Sequence, residues 1–180
     1  MNRHPGGEEH TKRLLEHAAL PKGARILDMG AGSGEAVRLM KAAGYDAVGI
    51  DLAPRSEIVL HGDCLRTGFP DRSFDAVLSQ CAFFLSGDQD AAIREAKRLL
   101  KPGGSLMLSD VFFEEPMLPG FCVAVCEDMT PQWREYYLEA LWREEIDCDC
   151  FPRGKCRYLS VVAVKTGNHS TEEEEKYGSA

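Results

Sequence analysis

Three glycines at alternate positions, Gly30, Gly32 and Gly34 in the stretch ILDMGAGSGEAV, constrain this chain more than any other feature. They stand where an apolar run from Ala24 to Met29 gives way to a helix-like run from Glu35 to Ala43, which predicts a strand-to-helix turn. Turns of this kind bind ligands. Glycine suits such a turn because a tight loop can require positive φ, and because a missing Cβ lets a ligand approach the backbone. The spacing G-x-G-x-G, with no lysine following, is neither the dinucleotide fingerprint nor the P-loop. Asp28, at the end of the strand, would repel a pyrophosphate and attract a cationic group. A cationic, nucleoside-bearing ligand is implied.

Further along, Leu14, Leu15, Ala18 and Ala19 share one face of a helix that ends near LPKG. YDAVGID supplies a second strand ending on Asp51, EIVLHGD a short third, and FPDRSFDAVLSQ a turn and a fourth. DQDAAIREAKRLL reads as an amphipathic helix with Ala92, Ala96, Leu99 and Leu100 inward, closed by KPGG, before a fifth strand, SLMLSDVFF. A strand around Phe121 to Cys126, a helix within Pro131 to Glu145 and a β-rich end, RYLSVVAVK, follow. Alternating strands and helices predict a mainly parallel sheet covered on both faces, with ligands at the carboxyl ends of its strands. Asp28, Asp51, Asp63, Ser79 and Asp110 all fall there.

The 180 residues suit one domain, expected over 1–166, followed from 167 by a disordered acidic tail, TGNHSTEEEEKYGSA in outline. No apolar run approaches the roughly 20 residues of a membrane span, and the start is too polar for a signal peptide. A net charge of −8 and a pI near 5.2 disfavour nucleic acid and anionic membrane and favour a small-molecule partner. Seven cysteines, an odd number, predict free thiols in a reducing, cytoplasmic setting. Five of the seven lie in FCVAVC and DCDCFPRGKC, whose spacings are not those of a zinc site; no metal is expected. A soft-ligand site at Cys148, Cys150 and Cys156 is the alternative.

Five motifs in order, ILDMGAGSG, AVGIDLAP, LHGD, FPDRSFDAVLSQ and EAKRLLKPGGSLMLSD, resemble the class I S-adenosylmethionine-dependent methyltransferases, in particular the small type 11 group. The resemblance covers roughly Gly7 to Val111. It implies a Rossmann-like, doubly wound, mainly parallel seven-stranded sheet with an antiparallel last strand, and S-adenosyl-L-methionine as cofactor. On the same footing, Asp28 and the loop Gly30, Ala31, Gly32 and Gly34 would hold the methionine end. Asp51 would accept hydrogen bonds from the ribose. Asp63 would meet the adenine amino group, with Leu52 and Cys64 flanking the ring. Ser79 and Gln80 would line the wall beside the reacting methyl.

The expected activity is methylation of a small molecule. The alternatives are a non-catalytic accessory module and a thiol or metalloid methyltransferase using the C-terminal cysteines. His10, His17, Glu127 and Asp128 are candidate bases by residue type alone. Phe83 and Phe84 read as core, and His61 as a partly buried strand residue. Two departures from the family stand out: only Leu52 to Glu57 separate the second and third strands, with no helix, and the link FFEEPMLPG leaves little room for a lid.

Overall fold

The computed structural model describes residues 4–142 and 154–167. Its elements are α1 (Gly7–Ala18), β1 (Arg25–Met29), α2 (Glu35–Ala42), β2 (Asp46–Asp51), β3 (Val59–His61), β4 (Phe74–Gln80), α3 (Gln89–Leu99), β5 (Leu100–Phe112), β6 (Phe121–Asp128), α4 (Thr130–Trp142) and β7 (Arg157–Lys165). The acidic tail from His169 on, with Asn168, and Cys148 and Cys150 lie outside the described residues. No described helix is long and apolar enough to cross a membrane.

The seven strands form one sheet in the order β3-β2-β1-β4-β5-β7-β6. β1 to β5 pair in parallel, and β7 runs antiparallel to both β5 and β6, as expected from the sequence. Strand order reverses beside β1, so the loops leaving β1 and β4 diverge and open a crevice at their carboxyl ends.

Side chains alternate between the two faces of each strand. Ile26, Ala76, Leu78 and Met107 pack against Leu14 and Leu15 of α1 and Val37 and Met40 of α2. Leu27, Met29, Val77 and Leu106 pack against Ala92, Ala96 and Leu99 of α3. The Asp88 side chain caps α3 by accepting the Ala91 N–H at 2.9 Å, and Lys165 donates to the carbonyls of Lys97 and Leu100 at its far end. The helix runs straight into β5: Leu100 already pairs with Phe74, and the KPGG turn is an irregularity inside the strand rather than a break before it.

Both crossovers that the sequence leaves short are built without a helix. Residues 52–58 return the chain to β3, which sits at the sheet edge with Leu60 and His61 exposed. His61, expected partly buried, is therefore solvated, because no helix covers this edge. The second crossover links β5 to β6. Phe112 pairs with Arg157 and Phe121 with Lys165, so the link must run back eight β7 residues, roughly 27 Å, and cross two strand spacings of about 4.8 Å. Nine peptide steps reach at most roughly 30–32 Å, so the link has little slack, and it closes in a turn where the Phe121 N–H donates to the Leu118 carbonyl at 3.1 Å. It passes on the α3 side, where Leu118 joins the core and Lys97 donates to the Pro119 carbonyl at 2.8 Å.

Candidate functional site

The glycine loop is held from both sides. Gly30 and Ala31 each donate their N–H to the Ile50 carbonyl at 2.9 Å. Asp51 accepts the Gly32 N–H on one oxygen and the Ala53 N–H on the other, both at 2.8 Å. Gly30 has φ 90°, and a Cβ there would lie 2.2 Å from the Cβ of Ala82, so the loops leaving β1 and β4 touch at a point only glycine allows. At Gly32, with φ 54°, a Cβ would meet the Arg55 guanidinium at 2.7 Å.

Over this loop, at the reversal of strand order, opens a cavity of about 490 Å³. Of the residues singled out in the sequence, Asp28, Gly30, Ala31, Asp51, Leu52, Cys64 and Gln80 line it. Gly32, Gly34, Asp63 and Ser79 are not among its lining residues. The two glycines shape the loop and the start of α2. Asp63 turns an oxygen to the Leu65 N–H at 2.8 Å. Ser79 is fully buried on the opposite face of β4 from Gln80, and its hydroxyl has no hydrogen-bond partner among the described residues. A broader concavity of about 980 Å³ runs along α4 beside Arg134 and Leu138, from Asp128 at the end of β6.

Asp28 is the floor of the cavity. It is only 4% exposed, and its carboxylate has no hydrogen bond or ion pair with any described residue. Burial, and then the charge of Asp51, push its carboxyl up to about 7. A group whose pKa rises on folding costs stability once pH passes its unfolded value, and the cost grows until the folded value is reached. Asp28→Asn is therefore expected to stabilise the protein by about 1–3 kcal/mol near pH 7, and by little near pH 4. Urea unfolding at the two pH values checks it; equal effects at both would contradict the assignment.

Beyond Asp28 the wall comes from residues that the sequence did not single out: His4 ahead of α1, Cys81 after β4, and Tyr136 and Tyr137 on α4. Cys81 adopts φ 59°, unusual for a residue with a Cβ, and its N–H donates to the Ser109 carbonyl at 2.8 Å. Its thiol lies 3.2 Å from the Tyr158 hydroxyl, which in turn donates to the Ser109 carbonyl at 3.3 Å. Burial pushes that thiol up to about 12, with the charge of Asp110 adding to it. Asp110, also pushed up to about 7 by burial, accepts the N–H groups of Phe84 and Val111 at 2.9 Å and fixes the loop after β4. Phe83 is core and Phe84 is half-buried against Phe113.

None of the four bases considered from the sequence reaches the cavity. His10 is buried, with Nε2 2.8 Å from the Ser109 hydroxyl and Nδ1 3.2 Å from Arg13, and burial lowers it to about 4. His17 is exposed on α1. Glu127 pairs with Arg13 at 3.2 Å, and Asp128 accepts the Thr130 N–H at the start of α4. Of the C-terminal cysteines, Cys156 is buried against Trp133 and Tyr158, while Cys122 and Cys126 are exposed on β6. Among the described residues no group of three or more His, Cys, Asp or Glu could hold a metal ion.

Residues 27–108, from β1 into β5, match the family profile of the methyltransferase domain. The chain carries a class I S-adenosylmethionine-dependent methyltransferase domain. It is similar to the arsenite methyltransferase of Aquipseudomonas alcaligenes, at 35% identity over 120 residues, 52% of this chain and 34% of that protein. It is also similar to the demethylmenaquinone methyltransferase of Corynebacterium urealyticum, at 29% identity over 138 residues, 72% of this chain and 56% of that protein. Among solved structures, phosphoethanolamine N-methyltransferase 2 of Haemonchus contortus in complex with S-adenosyl-L-methionine has the same fold. Its TM-score is 0.69 at 22% identity, covering 91% of this chain and 54% of that one. The chain thus spans between a third and somewhat over half of these relatives' length.

S-adenosyl-L-methionine is the cofactor of this methyltransferase family, and the residues present fit it. A cationic ligand would meet an unpaired, buried carboxylate at Asp28, and Gly30 and Ala31 of the glycine loop line the same cavity.

Proposed function

We propose that this methyltransferase domain transfers a methyl group from S-adenosyl-L-methionine to a small molecule held in the same cavity. The observation that carries the reading is how the cavity ends: past Asp28 and Gly30 it is walled by Gln80 and Cys81, by Tyr136 and Tyr137, and by His4. A module that only bound the cofactor would need no such wall; an open shelf beside β4 would have favoured it. The cofactor, when bound, supplies a methyl group already activated on a sulfonium. The protein's own task is then to align an acceptor within about 3–3.5 Å of that carbon and to exclude water. In this reading Asp28 faces the cationic end, the glycine loop lies along the ligand backbone to backbone, and Asp51 accepts from the ribose hydroxyls.

The arsenite methyltransferase among the relatives raises a metalloid acceptor as the second reading, and Cys64 and Cys81 do line the cavity. The chemistry of Cys81 opposes it. With its thiol held up to about 12 it enters the site protonated, whereas soft-metal ligation needs thiolate.

A screen of metabolites and thiols with labelled cofactor tests the activity; failure to bind cofactor at millimolar concentration would sink it. Asp51→Ala is expected to weaken cofactor binding by about 1.5–3 kcal/mol in titration calorimetry, the scale of hydrogen bonds to a charged group. An unchanged dissociation constant would remove Asp51 from the ribose site.

A further inference from the structure

We propose that His4 is the base that takes the proton from the methyl acceptor, and that the acceptor therefore presents an acidic O–H or S–H group; this rests on the methyltransferase reading above. Two contacts hold the imidazole, and two more hold the Gln80 amide behind it. Its Nδ1 lies 3.3 Å from the Pro5 carbonyl and 3.3 Å from Nε2 of Gln80. Oε1 of Gln80 lies 3.0 Å from the Thr11 hydroxyl, which is also 3.4 Å from the Gly7 carbonyl.

With the amide in that orientation the contacts compete. Thr11 has one proton for two acceptors, and Nδ1 cannot both donate to Pro5 and accept from Gln80. A half-turn of the Gln80 amide exchanges its nitrogen and oxygen while every other atom stays in place. All four contacts are then satisfied: Nδ1–H donates to the carbonyls of Pro5 and Gln80, the Gln80 amide donates to Thr11, and Thr11 donates to Gly7. In that arrangement the ring proton sits on Nδ1. Nε2, which has no partner among the described residues, keeps its lone pair.

Gln80 thus fixes the tautomer as a positioning residue, and His4 and Gln80 line the cavity together. Burial lowers the His4 pKa from its ordinary 6.5, so the ring arrives neutral. Glu35 on α2 and His10 on α1 are its ionisable neighbours, and the Glu35 carboxylate favours the imidazolium that forms. A base at this place matters for an acceptor that becomes nucleophilic only on losing a proton, which an alcohol, phenol or thiol does and a neutral amine does not. The acceptor's O–H or S–H bond breaks and its proton passes to Nε2. The freed electron pair bonds the methyl carbon as the carbon–sulfur bond breaks onto sulfur, giving S-adenosylhomocysteine, the methylated acceptor and a proton later lost from His4 to solvent.

The first test needs no turnover. Nitrogen NMR of protein labelled at histidine, saturated with S-adenosylhomocysteine and assigned through His4→Gln, should find Nδ1 protonated and Nε2 bare at neutral pH, with that preference lost in Gln80→Leu. The opposite tautomer in the wild type would overturn the proposal. The second test uses a panel of phenols and aliphatic thiols with labelled cofactor. His4→Gln should slow transfer by about 10²–10⁴-fold with cofactor affinity unchanged, and added imidazole should restore part of the rate to His4→Ala. An unaltered rate in His4→Gln, or no transfer to any panel member by wild type that binds cofactor, would overturn the base or the acceptor class respectively. Loss of cofactor binding by the wild type would instead defeat the underlying methyltransferase reading.

Discussion

Trp133→Ala should lower the unfolding free energy by about 3–5 kcal/mol, the range for deleting a large buried aromatic ring. The indole is 1% exposed, lies parallel to Tyr158 of β7 at a centroid distance of 6.1 Å, and meets Tyr137 edge-on at 5.1 Å. Met129 and Cys156 complete its surroundings. α4 otherwise presents mostly exposed residues, Leu138 among them at 58%, so this ring is the anchor that docks the helix on the sheet. The same substitution should loosen the cavity wall, because Tyr136 and Tyr137 ride on α4. Urea unfolding of Trp133→Ala beside Leu138→Ala decides the matter. A loss under about 1 kcal/mol at Trp133, or an equal loss at both positions, would contradict the anchoring role.

Gly30→Val should be damaging for both stability and cofactor binding. Its backbone, at φ 90°, costs a residue with a Cβ about 1–2 kcal/mol, and the Cβ would stand 2.2 Å from that of Ala82. Ala82 cannot give way like the end of a long side chain, so relieving the overlap means separating the two loops, adding about 1–3 kcal/mol. The separation falls where the cofactor is proposed to bind, so calorimetry should register no binding at concentrations that saturate the wild type. Gly103→Ala is the control: at φ 74° with nothing within 4 Å, it should bear only the backbone cost and bind normally. Similar thermal shifts for the two variants would show that the contact with Ala82 does not matter. Gly32, where the neighbour is the flexible end of Arg55, should tolerate alanine better than Gly30 does.

Much of the site's floor was legible in the sequence because it is local. A strand, a glycine turn and a helix are consecutive in the chain, so Asp28 and Gly30 could be placed by counting, and Asp51 follows from the end of the next strand. The wall was not legible. His4, Tyr136 and Tyr137 come from opposite ends of the chain, and nothing in their neighbourhoods shows that the sheet order brings them together. Ser79 failed by a single step: strand alternation sends adjacent residues to opposite faces, so Gln80 reaches the cavity and Ser79 the far core. The candidate bases could not be sorted by residue type for a related reason. His10 and His4 look alike in a list of residues, but only burial and partners separate a histidine that is consumed in packing from one that keeps a nitrogen free.

The link between β5 and β6 is a rope with little slack beyond the one turn at its end, and such a rope constrains length more in one direction than in the other. Taking residues out would pull β6 out of register with β7 or tear the link from α3, whereas adding them merely supplies slack on the surface. Sequence change at this point is therefore close to a ratchet: the chain between Phe113 and Gly120 can grow into a loop or a covering element without disturbing the seven strands, but it can lose little before the turn at its end is pulled open.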